Sequence, residues 1–255
     1  MYDDGSADAS NLTDEALASD LAHRAGELLV VRQRSNTNSY STGWWLGQDA
    51  DLEANSFLVE ELARARPNDS VLTEEAPDDL SRLEADRTWI IDPLDGSGGF
   101  GYGAADWAVH VALTQGGHAT AAAVAVPGLN TTFSTSSVSM PDPVVRRPIV
   151  VVGRSRVLTD GQAVNAALGG ELNVCSSAGV KAMLVVNGEA DVYVHSSSLY
   201  EWDVCAPAAV ASAAGLAVTD RLGQALRFNE GSEPVVDGFV VCRPCLLDEV
   251  LRALV

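Results

Sequence analysis

The chain has 255 residues, enough to bury a large core either as one α/β domain or as two lobes that share an interface. Hydrophobic residues make up 47% of the sequence and charged residues 20%, as in an ordinary globular protein, and no apolar run is long enough for a membrane span. The net charge of −19 argues against binding to a nucleic-acid polymer, although a small anionic ligand held through divalent cations remains compatible with it.

The N-terminal part of the chain begins with an acidic stretch, residues 1–5, which lacks the apolar segment of a secretory signal. The sequence therefore predicts a cytoplasmic protein. Thr13 can cap the first helix, in which apolar residues recur at helical spacing. In chain order we predict this helix, a polar loop over 35–41, a second helix over about 51–66, and strands at 71–72, 89–91, 107–113 and 121–126.

Strands and helices alternate in the C-terminal part of the chain, beyond a proline-containing stretch at 134–147 that we interpret as a linker. The predicted strands lie at 149–152, 172–175, 190–195 and 239–242, and the predicted helices at 160–168, 178–186, 203–214 and 246–254. Such alternation is typical of a layered α/β architecture. We therefore predict an N-terminal α+β lobe over 1–140 and a C-terminal α/β lobe over 146–255.

The four cysteines include a Cys-x-x-Cys pair, Cys242 and Cys245, a spacing found in redox and zinc sites. A structural zinc site would need a second pair, and the sequence has none. Because no export signal is recognised, we expect reduced, partly buried thiols.

Acidic residues stand at the edges of three predicted elements. Glu74 and Glu75 follow a strand, Asp92 and Asp95 follow another, and Asp203 begins a helix. Each alone is compatible with helix capping or a solvated surface. Together they offer hard oxygen ligands without histidine or cysteine, a set that favours magnesium over zinc.

The spacing Asp-x-x-Asp-Gly-Ser strengthens this interpretation. A tight turn would point Asp92, Asp95 and the carbonyl of Leu94 at one spot. Gly96 would let the backbone approach closely, and the N–H groups near Ser97 could cradle a phosphate. Paired divalent ions at such a site could activate a water and stabilise a departing oxygen, which is the main requirement of phosphoryl transfer.

Three motifs of this sequence resemble those of the lithium-sensitive, inositol-monophosphatase-like phosphatases. They are Glu74-Glu75, the signature at 89–97 (WIIDPLDGS) and the Trp-Asp motif at 201–207 (EWDVCAP). The resemblance extends from the first helix to Arg243 and implies a layered α-β-α-β-α sandwich with a site between two lobes. Within that superfamily the sequence is most similar to the CysQ-type 3′-phosphoadenosine-5′-phosphate phosphatases, through residues 54–56, 106–113, 177–183, 200–203 and 226–229.

The resemblance also implies roles for individual residues. Asp51 and Ser97 would orient and deprotonate the nucleophilic water, with Glu75 as a third catalytic residue. The implied metal ligands are the side chains of Glu75, Asp92, Asp95 and Asp203 and the carbonyl of Leu94. Two or three Mg²⁺ ions, inhibition by Li⁺ and a homodimer would be expected. The alternative for Asp51 is an ordinary residue in the first turn of a helix.

Substrate contacts are harder to assign because two segments depart from the family pattern. A glycine-rich run at 98–105 replaces a charged pair and predicts a looser loop, and 196–199 replaces a glycine-containing segment. Lys181 is a candidate contact or else a solvated helix lysine, and His110 has a predicted structural role. The candidate substrate-binding residues are Gly96, Ser97, Lys181, Tyr200, Glu201 and Arg227.

Three functional hypotheses follow from these residues. The first is a metal-dependent hydrolase that removes the 3′-phosphate of 3′-phosphoadenosine 5′-phosphate or its sulfated form. The second keeps this chemistry but acts on an inositol, sugar or nucleoside monophosphate, as the altered segments suggest. The third is a non-catalytic relative that binds a phosphorylated ligand, and the retained acidic residues argue against it.

Overall fold

The structure is a computed structural model that describes residues 9–35, 43–143 and 145–254. The acidic N-terminal stretch and almost all of the predicted loop at 35–41 lie outside these residues. Within them, no helix is long and apolar enough to cross a membrane. The cysteines Cys175, Cys205, Cys242 and Cys245 are unpaired, and the first three are buried, which confirms the expected reduced thiols.

The first sheet has five strands in the order β1-β2-β3-β4-β5. These are β1 (Ser70–Thr73), β2 (Thr88–Asp95), β3 (Ala108–Gln115), β4 (His118–Val126) and β5 (Thr131–Ser134). β1 runs parallel to β2, and the remaining neighbours are antiparallel. The pairing of β2 with β3 shifts between Asp92 and Asp95, so the strand is irregular where its acidic residues lie.

The second sheet has five strands in the order β7-β6-β8-β10-β9. They are β6 (Ile149–Val152), β7 (Glu171–Val174), β8 (Val192–Tyr200), β9 (Ala217–Thr219) and β10 (Val235–Cys242). β6 pairs in parallel with β7 and β8, whereas β10 is antiparallel to β8 and β9.

Helices cover the outer faces of both sheets and fill the space between them. They are α1 (Asp14–Ser35), α2 (Gly43–Ala65), α3 (Ser97–Phe100), α4 (Gln162–Leu168), α5 (Ala178–Val186), α6 (Glu201–Ala213) and α7 (Leu247–Ala253). Trp89 and Ile91 of β2 pack with α1 and α2, whereas Ile90, on the opposite face, joins the core around α5 and α6. Val164 of α4 and Val250 of α7 pack on the far face of the second sheet.

These packed layers confirm the predicted α-β-α-β-α sandwich. The central core contains residues of both sheets together with α5 and α6. The division into lobes over 1–140 and 146–255 stays a prediction.

Several predicted boundaries were wrong. The second helix begins at Gly43, about eight residues earlier than predicted, and buries Leu46 and Ala50 in its first two turns. β2 continues through Pro93 to Asp95 instead of ending at Asp92. The sequence patterns also missed α3 and the short strands β5 and β9, whose three or four residues are too few to show a hydrophobic period.

The glycine-rich run after β2 begins within the helical turn α3 and continues as turns, so only its first residues depart from the looser loop expected from its composition. Gly101 lies so close to the start of α2 that a Cβ atom there would be 1.5 Å from the carbonyl oxygen of Gly43. At Gly98, in the same run, a Cβ atom would have no neighbour within 4 Å. The run therefore contains one glycine that close packing requires and one that faces open space.

This contrast predicts opposite effects of two alanine substitutions. Gly101→Ala should lower the free energy of unfolding by about 3 kcal/mol, because the backbone of α2 must move to admit the methyl group. Gly98→Ala, the matched control, should change it by less than about 1 kcal/mol, since alanine favours the helical conformation. Urea denaturation of both variants measures the difference, and equal stabilities would contradict the packing described here.

Candidate active site

Six carboxylates from four elements or their ends form two groups at one edge of the first sheet. The ligand atoms within each group all lie within 4.8 Å of one another. One group contains Asp51, Glu74 and Glu75, and the other contains Asp92, Asp95 and Asp203. The structure therefore brings together all four predicted side-chain metal ligands, and it adds Glu74.

Asp51 lies in the third turn of α2 and is buried, so the alternative of an ordinary first-turn helix residue is wrong. One turn later, Asn55 accepts a 2.7 Å hydrogen bond from the Thr73 hydroxyl at the end of β1. This bond holds α2 against the segment that carries Glu74 and Glu75. The carboxylates of Asp51 on α2 and of Glu74 and Glu75 after β1 thereby lie close together.

Ser97 lies against the side of α2 that carries Asp51. A Cβ atom at Gly47 would be 2.5 Å from the carbonyl oxygen of Ser97, so the two backbones touch there. Gly47 precedes Asp51 by four residues and therefore lies on the same side of the helix. Gly96, with φ of 100°, makes the left-handed turn that separates Asp95 from Ser97 and starts α3.

Asp95 is the most strongly held of the carboxylates. Its Oδ2 accepts hydrogen bonds from the Ser177 hydroxyl at 2.5 Å and from the backbone N–H of Gly179 at 2.7 Å, both at the start of α5. Burial alone would raise the pKa of Asp95, but His110, Lys181 and Ser177 lower it to about 2. Asp95 is therefore ionised at neutral pH.

Negative charge is unfavourable on the remaining carboxylates. Burial, reinforced by Glu75 and Glu74, raises the pKa of Asp51 to about 9. Burial and then Asp203 raise the pKa of Glu74 to about 7, and burial and Asp95 raise that of Asp203 to about 6. The pKa of Asp92 is well above its ordinary value, first because of burial and then because of Asp95.

This charge pattern fits cation binding. The buried atoms Asp51 Oδ1 and Asp92 Oδ2 have no hydrogen-bond partner among the described residues, although buried acceptors are almost always satisfied. Divalent cations would satisfy both atoms and offset the repulsion within each group. The two acidic clusters could therefore bind metal ions.

His110, predicted to be structural, lies within this site. It is fully buried, with Nδ1 3.0 Å from the Trp202 carbonyl and Nε2 3.3 Å from Asp95 Oδ2. Burial disfavours its charged form most strongly, but Asp95, the Trp202 carbonyl and Asp203 together outweigh it and raise the pKa of His110. The observation that links this position to the site is its pairing on β3, where His110 lies opposite Asp92 of β2.

Asp203 lies in the first turn of α6, where its Oδ2 accepts a hydrogen bond from the Tyr200 N–H at 3.1 Å. The Tyr200 ring is half exposed and stacks on Trp202 with 4.5 Å between ring centroids. Among the candidate substrate contacts, Tyr200 therefore lies beside a carboxylate of the second group.

Lys181 is buried, not a solvated helix lysine, and its Nζ donates to the Ser176 carbonyl at 2.6 Å. It lines a pocket of about 600 Å³ together with Asp95 and Asp203. A larger groove of about 960 Å³ lies between α1 and β5 and contains none of the six carboxylates.

Two other candidates do not reach the carboxylates. Glu201 is buried, and its Oε2 accepts a 2.8 Å hydrogen bond from the Asn229 N–H. Arg227 contacts the Gly116 carbonyl at the β3–β4 turn, beside the end of β2 that is opposite to Asp95. The structure therefore assigns loop-anchoring contacts to Glu201 and Arg227.

Comparison with known proteins finds a phosphatase and a nucleotidase of similar sequence. A 3′-phosphoadenosine 5′-phosphate phosphatase of Mycobacterium leprae is 41% identical over 251 residues, which cover 92% of this chain and 90% of the relative. The 3′(2′),5′-bisphosphate nucleotidase CysQ of Escherichia coli is 28% identical over 206 residues, covering 75% of this chain and 83% of the relative.

The fold is also that of solved relatives. The crystal structure of CysQ from Bacteroides thetaiotaomicron, 25% identical, covers 89% of this chain and 95% of its own with a TM-score of 0.72. Staphylococcal IMPase-II, 18% identical, covers 93% of this chain and 91% of its own with a TM-score of 0.76. Since the sequence model of the inositol monophosphatase family matches residues 11–247, nearly the whole chain, this protein belongs to that family.

Proposed function

We propose that the protein is a magnesium-dependent phosphatase that removes the 3′-phosphate from 3′-phosphoadenosine 5′-phosphate or its sulfated form. The observation that carries the proposal is the convergence of six carboxylates in a chain that is 41% identical, over nearly its full length, to a relative named for this activity. Most of the acidic side chains are buried or half-buried, and hard oxygen ligands favour Mg²⁺.

The proposed ligands come from both groups. Glu75 lies in the group with Asp51, whereas Asp92, Asp95 and Asp203 form the second group. Leu94, whose carbonyl is a further proposed ligand, is buried between Asp92 and Asp95. When bound there, Mg²⁺ would supply positive charge to the phosphoryl oxygens and lower the pKa of a water.

The residues around the cations have separate tasks in this proposal. Asp51 and Ser97 would orient the attacking water, since Ser97 lies against the side of α2 that carries Asp51, and Asp51 would accept its proton. Backbone N–H groups after Gly96 would bind a phosphate oxygen at the start of α3. Lys181, buried behind Asp95 and Asp203, would add a fixed positive charge to the substrate pocket.

A phosphate-release assay with Mg²⁺ tests this function. The panel comprises 3′-phosphoadenosine 5′-phosphate, its sulfated form, 3′-AMP, inositol 1-phosphate and a sugar phosphate. We expect the highest kcat/KM with the bisphosphate nucleotide and no phosphate release in EDTA. Equal or lower kcat/KM for this nucleotide than for a monophosphate would contradict the substrate assignment.

The second candidate is a phosphatase of an inositol, sugar or nucleoside monophosphate. The helical turn over 97–100, which carries glycines where the CysQ-type sequences have a charged pair, favours this alternative. A purely ligand-binding relative is disfavoured, because all four proposed acidic ligands and the Ser97 hydroxyl are retained. Cytoplasmic location, a homodimer and inhibition by Li⁺ stay predictions, testable by fractionation, sedimentation and inhibition assays.

A further inference from the structure

The pocket beside Asp95 and Asp203 has a second wall, which the proposed mechanism does not use. This wall includes His195 on β8 and Arg154, which follows β6. His195 is half-buried and lies eight residues before the metal-site residue Asp203. A ligand held at the carboxylates would extend along this wall, because both surfaces line the same cavity of about 600 Å³.

A chain of hydrogen bonds links Arg156, Ser197 and His195. Arg156 Nη2 donates to the Ser197 hydroxyl at 2.5 Å, and the same hydroxyl lies 2.9 Å from His195 Nε2. A guanidinium can only donate, so the Ser197 oxygen accepts from Arg156, and the Ser197 hydrogen is available to donate to Nε2. When it does so, the histidine hydrogen is on Nδ1, which makes no hydrogen bond within the described residues.

The charge state of His195 agrees with this arrangement. Burial, followed by the positive charges of Arg156 and Lys181, lowers its pKa to about 4. A neutral imidazole has one acceptor nitrogen and one donor nitrogen, as the bond from Ser197 requires. The negative charge of Asp160 raises the pKa of His195, but it does not outweigh these effects.

The backbone around this histidine is also held in place. The buried carboxylate of Asp160 accepts hydrogen bonds from the N–H and the hydroxyl of Ser196, at 2.8 and 2.7 Å. Arg156 and Asp160 belong to one short segment after β6, so that segment fixes two successive serines of β8. The orientation of His195 is therefore preorganised rather than dependent on a ligand.

We propose that His195 contacts the substrate, donating a hydrogen bond from Nδ1 to an oxygen on the part that is not hydrolysed, and that Arg156 and Ser197 are positioning residues for this contact. The inference rests on the proposed function, since it assumes a phosphorylated substrate at the carboxylates. The acceptor is an oxygen of the sugar or of a second phosphate, and both carry lone pairs that an imidazole N–H can satisfy.

The tautomer can be measured without a substrate. In ¹⁵N-labelled wild-type protein at pH 7, long-range ¹H–¹⁵N spectra should show His195 with its proton on Nδ1, and the His195→Asn variant assigns its signals among the four histidines. Ser197→Ala should shift His195 towards the Nε2–H form, because Nε2 loses its donor. Ser198→Ala, at an exposed neighbouring serine, is the matched control and should leave the spectrum unchanged.

Kinetics with two nucleotides then test the substrate contact. His195→Ala should raise KM about 10-fold with little change in kcat, as expected for the loss of one hydrogen bond of ground-state binding. His195→Asn, whose amide can donate from a position near Nδ1, should recover most of this loss. Ser197→Ala should raise KM about 3-fold, and Ser198→Ala should not change it.

The substrates distinguish the acceptor. A higher KM for both 3′-phosphoadenosine 5′-phosphate and 3′-AMP indicates a sugar oxygen, whereas a higher KM for the bisphosphate alone indicates the second phosphate. An unchanged KM for both in His195→Ala, or an Nε2–H tautomer in the wild type, would overturn the inference. Failure of the wild type to hydrolyse either nucleotide would instead contradict the proposed function, and the tautomer measurement would still report on the relay.

Discussion

Substitution of Asp95 by Asn should reduce kcat about 10³-fold or more and abolish stabilisation of the protein by Mg²⁺. Asp95 is ionised, because its pKa is about 2, and it lies in the group with Asp92 and Asp203. A neutral amide could keep one acceptor for Ser177 and Gly179, but it would remove the negative charge that a divalent cation needs. The fold should therefore survive while metal binding and catalysis are lost.

Phosphate release and thermal unfolding with and without Mg²⁺ check this result. Asp237→Asn is the matched control, because Asp237 is exposed and pairs only with Arg221 on the surface, where ion pairs contribute little. The control should keep both its activity and its Mg²⁺-dependent increase in Tm. A kcat for the Asp95 variant that equals the wild-type value would refute the assignment of the site.

The acidic site was the part of the molecule that the sequence predicted best, and local chemistry explains why. Asp92, Asp95 and Ser97 lie within six consecutive residues, so their proximity follows from the chain itself. Placing Glu75 and Asp203 beside them required the family resemblance, because they come from other elements. Glu74 is among the acidic residues at the predicted strand ends, but the family resemblance implies only Glu75 as a ligand, and the grouping of Glu74 with Asp51 is seen only in the structure.

The positions of Lys181 and Arg227 depend on tertiary packing, which the hydrophobic periodicity of the sequence does not show. All nine residues of α5 are buried, so Lys181 had no polar face on which to be solvated. Arg227 lies in a stretch that resembles the CysQ-type sequences but far from the site along β2, because Phe228 donates its N–H to the Gly117 carbonyl at the β3–β4 turn. The early start of α2 was missed because its first two turns contain Gly43 and Gly47, and glycine is a poor helix former.

The metal-free protein should become less stable as pH rises, with a loss of about 3 kcal/mol in the free energy of unfolding between pH 5.5 and 8. The pKa of Asp51 is raised to about 9 and that of Glu74 to about 7, whereas both are near 4 in an unfolded chain. Between these values the folded state binds more protons than the unfolded state, so raising the pH favours unfolding. The raised pKa of His110 acts in the same direction.

Urea denaturation in EDTA across this pH range measures how the free energy of unfolding changes with pH. Added Mg²⁺ should reverse this pH dependence, because bound cations favour the ionised carboxylates and bind more tightly as protons leave. Asp51→Asn removes a buried carboxyl group whose ionisation is strongly disfavoured, and it should raise the free energy of unfolding of the metal-free protein at pH 8 by about 2 kcal/mol. The same variant should gain less from Mg²⁺ than the wild type does. A metal-free protein whose stability is constant or rises from pH 5.5 to 8 would contradict the charge repulsion within the two carboxylate groups, and with it the physical reason why this site attracts cations.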